Sequence, residues 1–569
     1  MYKIVDFQTK KQVTPKNFVF TGKEGPWEIV MDLETIQTKI NLDYFRQAPP
    51  CLAKYLPLLP VQDHTQFVSL KEMATPLIKS KSLSKKLGVD LYFKVEAKNP
   101  TGSFKDRGSA VDLTVARELG AKGIVLASTG NMAASCSCYA AQAQLPCFVF
   151  VPEGVPMAKL AQVIAFGGQI VQVKGNYNDA ARLAEAVAIE MGFYLAGDYA
   201  FRVEGQKTAA FELMDQLLFG ELDMVVIPIG CGTNITAYAK GFKEYRQLGL
   251  ITEVPQLIGV QAEGAAPLIN AFKNKSTKHQ PVAGVNTIAS AIAIEDPLDG
   301  IKALDAIYST KGKALAVSDR EILEAQYLLS KEEGLFVEAS GATTLAAIIQ
   351  MTSQGNLKNK KIVCVLTGDG LKDPSLILKV AIKPPTIYPD KKEFVSLYEE
   401  GFFNNKNVLF IDKNMVLFLK EPTSIEINRT LRDLFHAEYD EEYIEKIQQI
   451  AAACVKKGKT ITVADFQDII QDALEMLRHE TKKIFTVLDF DVETGKDRIA
   501  KARVKVHFKG EDKACEATGV GPFDALIKAL TLACSKKIDF SLMDYKVDIR
   551  NKGIDAVVYV ELKLQKEHQ

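Results

Sequence analysis

Met224-Val225-Val226-Ile227-Pro228-Ile229-Gly230-Cys231-Gly232-Thr233-Asn234, followed by the helical period of Ile235 to Tyr245, is apolar, then glycine-rich, then amphipathic. A strand that does not alternate is covered on both faces, the pattern of a parallel sheet between two helical layers. Glycines let backbone amides close on an anion and a helix start adds its dipole, so Gly230 to Asn234 suit a phosphate monoester. The loop lacks the Gly-Lys-Ser/Thr of a nucleotide loop, so nothing in it argues for ATP. Taken alone, it reads equally well as a plain strand-to-helix turn.

The same texture extends outward. Ile124-Val125-Leu126-Ala127, Cys147-Phe148-Val149-Phe150-Val151, Ile170-Val171-Gln172-Val173, Leu257-Ile258-Gly259-Val260 and Ile362-Val363-Cys364-Val365-Leu366 are further non-alternating runs. Ligands of parallel sheets sit beyond the carboxyl ends of the strands, so the loops after them are the candidate site. One is Ser128-Thr129-Gly130-Asn131-Met132-Ala133-Ala134-Ser135, whose hydroxyls, amides and helix start suit a carboxylate. Another is Thr367-Gly368-Asp369-Gly370-Leu371-Lys372-Asp373. A third phrase, Asn99-Pro100-Thr101-Gly102-Ser103-Phe104-Lys105-Asp106-Arg107-Gly108, sets a lysine between a turn and a helix expected to begin near Asp106. A positive helix N-terminus and the cation of Arg107 suit an amine used for Schiff-base chemistry. On its own, a surface lysine is the blander reading.

The chain has 569 residues, with 70 Lys plus Arg against 70 Asp plus Glu, so its overall field gives no reason to expect nucleic acid or a membrane as partner. Its nine cysteines are scattered through apolar runs, as expected of reduced thiols in a cytoplasmic protein. Cys136-Ser137-Cys138 has no second pair or nearby histidine, so no metal is expected. Neither a secretory leader nor a membrane span is read. Of six histidines only His64 and His279 precede residue 400, so another group is expected to handle protons.

Pro384-Pro385-Thr386-Ile387-Tyr388-Pro389-Asp390-Lys391-Lys392 interrupts the alternation and reads as a connector. We place domains at 1–383, at 393–480, largely helical (Glu441 to Val455, and Val463 to Leu477 capped by Thr460 or Thr462), and at 485–569. The last alternates strictly at Val504, Val506, Phe508 and at Val558, Val560, Leu562, Leu564, with Phe523, Leu526, Ile527, Leu530 and Cys534 on one helix face, a small α+β module.

The lysine phrase, Ser128-Thr129-Gly130-Asn131, Arg202-Val203-Glu204-Gly205-Gln206-Lys207-Thr208, the glycine loop and Thr367-Gly368-Asp369-Gly370-Leu371-Lys372-Asp373 occur in that order and resemble the threonine synthase family. The resemblance implies fold type II of the pyridoxal-phosphate enzymes, a tryptophan synthase β-like α/β architecture of two open sheets with helices on both faces. It implies pyridoxal 5'-phosphate as cofactor, Lys105 as its Schiff-base and catalytic lysine, and Gly230, Cys231, Gly232, Thr233 and Asn234 as the phosphate cradle. Asn131 would meet the ring hydroxyl and Thr367 the pyridine nitrogen. Because a hydroxyl does not enforce a pyridinium, elimination and replacement are favoured over transamination. Ser128, Thr129 and Asn131 would meet the substrate carboxylate, and Arg202 and Lys207 its phosphate. The implied reaction converts O-phospho-L-homoserine and water to L-threonine and phosphate.

Four departures from the family pattern stand out, two of them near the expected substrate-phosphate side. Asp369 stands where the family has histidine, Glu72-Met73-Ala74-Thr75-Pro76-Leu77 replaces Glu-Gly-Asn-Thr-Pro-Leu, Asp198-Tyr199-Ala200-Phe201 stands where Asn-Pro often precedes the arginine, and Ala293 occupies a common arginine position. They keep open a threonine or serine ammonia-lyase, and a non-catalytic amino-acid sensor. Ala517-Thr518-Gly519-Val520-Gly521-Pro522-Phe523-Asp524-Ala525, Leu542-Met543-Asp544-Tyr545 and Gly553-Ile554-Asp555-Ala556 resemble the regulatory, LeuA-type allosteric and dimerisation domain of 2-isopropylmalate synthase and citramalate synthase. That resemblance implies a homodimer or higher homo-oligomer and a branched-chain amino-acid effector near Gly519, Gly521, Ala525, Gly553 and Ala556.

Overall fold

The structure is a computed structural model. It describes the chain apart from residues 1, 16–17, 21–24, 49–50, 73, 356, 375, 378–386, 388, 400–415, 419–420, 436–438, 457–460, 479–484, 496–497, 509, 534–539, 550–557 and 567–569. Two compact units are present, Met1–Asp412 and Lys413–Gln569. The division therefore falls later than the proline-rich stretch, and the helix Lys391–Glu399 lies in the first unit.

The first unit holds two open sheets and a two-stranded antiparallel ribbon, Tyr2–Asp6 with Trp27–Met31. In the larger, the strands run in the order Lys313–Val317, Gln256–Ala262, Met224–Pro228, Lys361–Val365, Asp90–Lys94, Leu77–Lys79. Only the pairing of Leu77–Lys79 with Asp90–Lys94 is antiparallel. The smaller has the order Gln169–Val173, Cys147–Pro152, Ile124–Ala127, Tyr194–Leu195, all parallel. Every strand expected from a non-alternating run is present. The central strand explains why its sequence does not alternate: Val225 and Ile227 enter one apolar core with Val363 and Val365, while Met224 and Val226 enter the other with Ile258 and Ile362. Each fully buried valine or isoleucine there stabilises the fold by roughly 1.5–3 kcal/mol. Leu77–Lys79, Tyr194–Leu195 and Lys313–Val317 escaped the reading because they are short or sit at sheet edges with polar ends.

In the second unit, Ser424–Phe435, Glu441–Lys456 and Val463–Arg478 pack around Ile427, Leu431, Ile444, Ile447, Ala451 and Phe466. Thr462 caps the third helix, exchanging hydrogen bonds with Asp465 at 2.6 and 3.3 Å. Thr460 lies outside the described residues. Phe485–Gly495, Arg498–Phe508 and Glu511–Gly519 form an antiparallel sheet. The helix Pro522–Ala533 covers the alternating face Ala500, Ala502, Val504, Val506 and Phe508. It does so with Ala525, Ala529 and Ala533, joined by the expected Leu526 and Leu530; Ile527 is buried as well, while the Phe523 side chain and Cys534 lie outside the described residues. Small residues let the helix axis approach the sheet closely. Phe540–Ile549 and Val558–Lys566 pair as a further antiparallel ribbon. Among the described residues no helix is long and apolar enough to cross a membrane.

Candidate active site

Lys105 is the first residue of the helix Lys105–Glu118, entered through a turn in which Gly102 takes φ +81°. Asp106 fixes that turn by accepting from the Thr101 amide (2.7 Å), the Thr101 hydroxyl (2.6 Å) and the Ser135 hydroxyl (2.6 Å). The Lys105 Nζ donates to both oxygens of Asp198, at 2.8 and 3.0 Å, and lies 5.1 Å from the centre of the Phe104 ring. Arg107 contributes no cation to this amine. Its guanidinium is turned into the core and neutralised by Glu96 (2.7 Å) and Glu212 (3.0 Å). The expected cationic setting is thus replaced by a carboxylate, because charges buried this deeply persist only when paired.

The strand Met224–Pro228 delivers the glycine loop, and Gly232, at φ +94°, opens the helix Thr233–Gln247. A Cβ on Gly232 would come within 3.0 Å of the Asp299 carbonyl and of Ala303, and one on Gly230 within 3.2 Å of the Ala291 carbonyl. First-turn amides of a helix have no intrahelical acceptor. Beside them the Nδ2 of Asn234 is buried without a hydrogen-bond partner. An anion at this loop would satisfy both. The Cys231 thiol meets Asp198 and Lys105; burial pushes its pKa up, Asp198 pushes it further and Lys105 opposes, so the group stays neutral. Loop and lysine therefore share one site.

The remaining loops close on it from the other side. Thr367 is nearly buried, and its carbonyl accepts from the Phe104 amide at 3.0 Å, tying the last strand's loop to the lysine turn. Ser128 and Thr129 are half-buried, and Asn131 begins the helix Asn131–Ala143. The Asn131 Nδ2 donates to both oxygens of Glu338, at 3.1 and 2.8 Å. Glu338 was missed in the sequence. It directly precedes the helix Ala339–Ser353, and its amide donates to the Gly368 carbonyl at 2.9 Å. A Cβ on Gly368 would meet Glu338 Oε2 at 1.9 Å, so glycine there makes room for the acid. Burial raises the Glu338 pKa to about 7, against the lowering pull of Asn131 and Lys372. Its only sequence signal is an acid set directly before a run of small helical residues. Asp369, the residue at the family's histidine position, caps its own turn by accepting from the Leu371 amide at 2.9 Å.

Arg202 and Lys207 do not face open space, which corrects the expectation that they receive a substrate phosphate. Arg202 is fully buried; it donates to the carbonyls of Gly197 (3.0 Å) and Lys105 (3.1 Å), to the Ser109 hydroxyl (3.2 Å) and to Asp112 (3.3 Å). Lys207, equally buried, is held by Glu204 at 2.6 Å and Glu244 at 2.7 Å. The phrase they belong to is a packing device: a Cβ on Gly205 would lie 2.0 Å from the Arg107 carbonyl and one on Gly108 2.5 Å from Arg202.

Residues 68–368 match the family of pyridoxal-phosphate dependent enzymes, and residues 460–569 match the LeuA allosteric (dimerisation) domain. The chain belongs to the pyridoxal-phosphate dependent enzyme family, whose cofactor the residues present fit: an amine at Lys105, an amide-lined glycine loop and an orphaned Asn234 donor beside it. Among curated relatives, the threonine synthase of Methanocaldococcus jannaschii is 43% identical over 380 residues, 66% of this chain and 94% of that protein. The threonine synthase of Mycobacterium bovis is 41% identical over 356 residues, 62% of this chain and 96% of that protein. Among solved structures, maize serine racemase aligns with a TM-score of 0.48 at 21% identity, over 64% of this chain and 99% of that one.

Proposed function

We propose that the chain is a threonine synthase, a lyase of threonine biosynthesis that converts O-phospho-L-homoserine and water to L-threonine and phosphate. The observation that carries the reading is the meeting of Lys105, the Gly230–Asn234 loop and the Thr367 loop in one place, in a chain 43% identical to a threonine synthase over 94% of its length. Bound pyridoxal phosphate supplies an electron sink for negative charge developing on the substrate. The amides of Gly230, Cys231, Gly232, Thr233 and Asn234 would hold its phosphate, with the Asn234 side chain as an added donor. With the cofactor bound, Thr367 would offer a hydroxyl to the ring nitrogen, and Asn131, oriented by Glu338, would offer its amide to the ring oxygen. Lys105 takes the α-proton, then a β-proton so that phosphate can leave the γ-carbon, and returns a proton at the γ-carbon, which becomes the methyl group while water adds at the β-carbon; one amine held within reach serves all of these transfers. Ser128, Thr129 and Asn131 receive the substrate carboxylate.

The purified chain incubated with O-phosphohomoserine should release phosphate and threonine in equal amounts; 2-oxo acid from threonine or serine without any phosphate release would replace this reading. That second reading, an ammonia-lyase, is favoured by one observation: Lys105 is held by Asp198 while Arg202 and Lys207 are buried with their own acids. For the second unit we propose feedback by a branched-chain amino acid acting across a homodimer, in a cytoplasmic protein. Of the residues assigned to that effector, Gly519, Gly521 and Ala525 front the helix Pro522–Ala533, whereas Gly553 and Ala556 lie outside the described residues. Such control requires unequal affinity for two states. Calorimetric titration with isoleucine, leucine, valine and threonine should give heat for one of them, and none for all four removes the effector.

A further inference from the structure

The amine of Lys105 has an acid of its own. Asp198 meets it with both oxygens, at 2.8 and 3.0 Å, in a setting where the lysine side chain is 16% and the aspartate 8% exposed. The pairing is built in by the backbone. Arg202 donates from Nε to the carbonyl of Gly197, the residue before Asp198, and from Nη1 to the carbonyl of Lys105 itself. One buried guanidinium thus staples the segment carrying the acid to the helix carrying the amine. Gly197 is required at the bend, because a Cβ there would strike the Tyr199 ring at 2.2 Å.

We propose that Asp198 is a positioning residue that holds the side-chain nitrogen of Lys105, and the proton it carries, both when that nitrogen is joined to the cofactor and when it is free. The inference rests on the reading of Lys105 as the cofactor's lysine. When the amine takes the substrate α-proton, a C–H bond breaks, an N–H bond forms and the electron pair stays behind on the carbon side. The resulting ammonium then donates to the two Asp198 oxygens, which keep it within reach until the proton is handed on, leaving the amine free to take the β-proton and return one at the γ-carbon. The groups facing the acid suit this work. Burial opposes its ionisation, but Lys105 and Arg202 outweigh burial and the Cys231 thiol donates to it, holding the carboxyl below the usual carboxylate range. The other neighbours are Tyr177, Tyr199, Asp112 and Asp299; the last is paired with Lys302 at 2.7 Å.

The test needs no substrate, so it stands apart from the outcome of the threonine synthase assay. The yellow absorbance of the full-length holoenzyme is titrated against pH in the unaltered protein, Asp198→Asn and Asp198→Glu. A negative charge this close favours the protonated, yellow form, so D198N should lower the midpoint by roughly one to three pH units, and D198E should restore most of it. In the cofactor-free full-length chain, acetic anhydride should acetylate Lys105 about tenfold faster in D198N at neutral pH, with other lysines unchanged. A purely structural Asp198 would lower the melting temperature yet leave the titration midpoint and the relative labelling of Lys105 where they were, and that outcome overturns the proposal. Should D198N fail to fold, D198S takes its place in the same two measurements.

Discussion

Two turns in this chain share one pattern, a strand, a glycine turn and a helix, and carry out different tasks. At Gly230 to Asn234 the helix Thr233–Gln247 has no acid in its first turn, and Asn234 holds a buried donor that no protein group accepts. At Gly519 to Pro522 the helix Pro522–Ala533 brings its own acid: Asp524 accepts from the Val520 amide at 2.9 Å and pairs with Lys528 at 2.8 Å. The first helix end is left open to an anion, and the second is already capped by one. Glycine content therefore says little about anion binding; what decides it is whether the helix supplies its own negative charge.

The widest separation between the two regions comes from Lys105→Ala, which should abolish the borohydride-fixed cofactor tag and lower activity by about a thousandfold or more, with the second unit intact. Retained tagging at full stoichiometry would move the cofactor elsewhere. Gly232→Ala should raise the cofactor's dissociation constant at least about tenfold, because the residue must hold φ +94° beside the Asp299 carbonyl. Equilibrium dialysis checks it, and unchanged affinity would return the loop to a plain turn.

A pH effect of up to about 3 kcal/mol is expected from Glu338, whose ordinary pKa of 4.5 is raised to about 7 by burial. A raised carboxyl stabilises the fold fully below 4.5, and that stability is lost as pH rises through 7. Urea unfolding of the cofactor-free chain should therefore show the first unit weakening between those values, and Glu338→Gln should flatten the profile; an unaltered slope would remove Glu338 from the buried acids. The smallest effect is assigned to Asp524→Ala, which removes a helix cap and should destabilise the second unit by about 1 kcal/mol without changing cofactor affinity. A loss of cofactor there would break the contrast drawn between the two turns.

The three adjacent inner strands Gln256–Ala262, Met224–Pro228 and Lys361–Val365 of the large sheet were legible because a strand buried on both faces has to be written in apolar residues throughout, as Val225, Val226 and Ile227 are, all fully buried. The loops that meet at Lys105 were legible for a related reason: ligands gather at strand ends, and turns of this kind use glycine where backbone crowds backbone. The sequence misassigned charges. Arg107, Arg202 and Lys207 read as cations available to chemistry, yet each is buried against acids distant in the chain, as Arg107 is with Glu212 and Arg202 with Asp112. Glu338 passed unread because its partner, Asn131, is contributed by the other sheet.

By itself, the sequence determined where strands, helices and glycine turns fall, since those follow from local period and from what a backbone position will admit. Only the tertiary structure decided which charges neutralise one another and which stay at work. A guanidinium or carboxylate acts over a few ångströms, and its neighbours at that range, such as Asp198 for Lys105, are set by the packing of segments far apart in the chain.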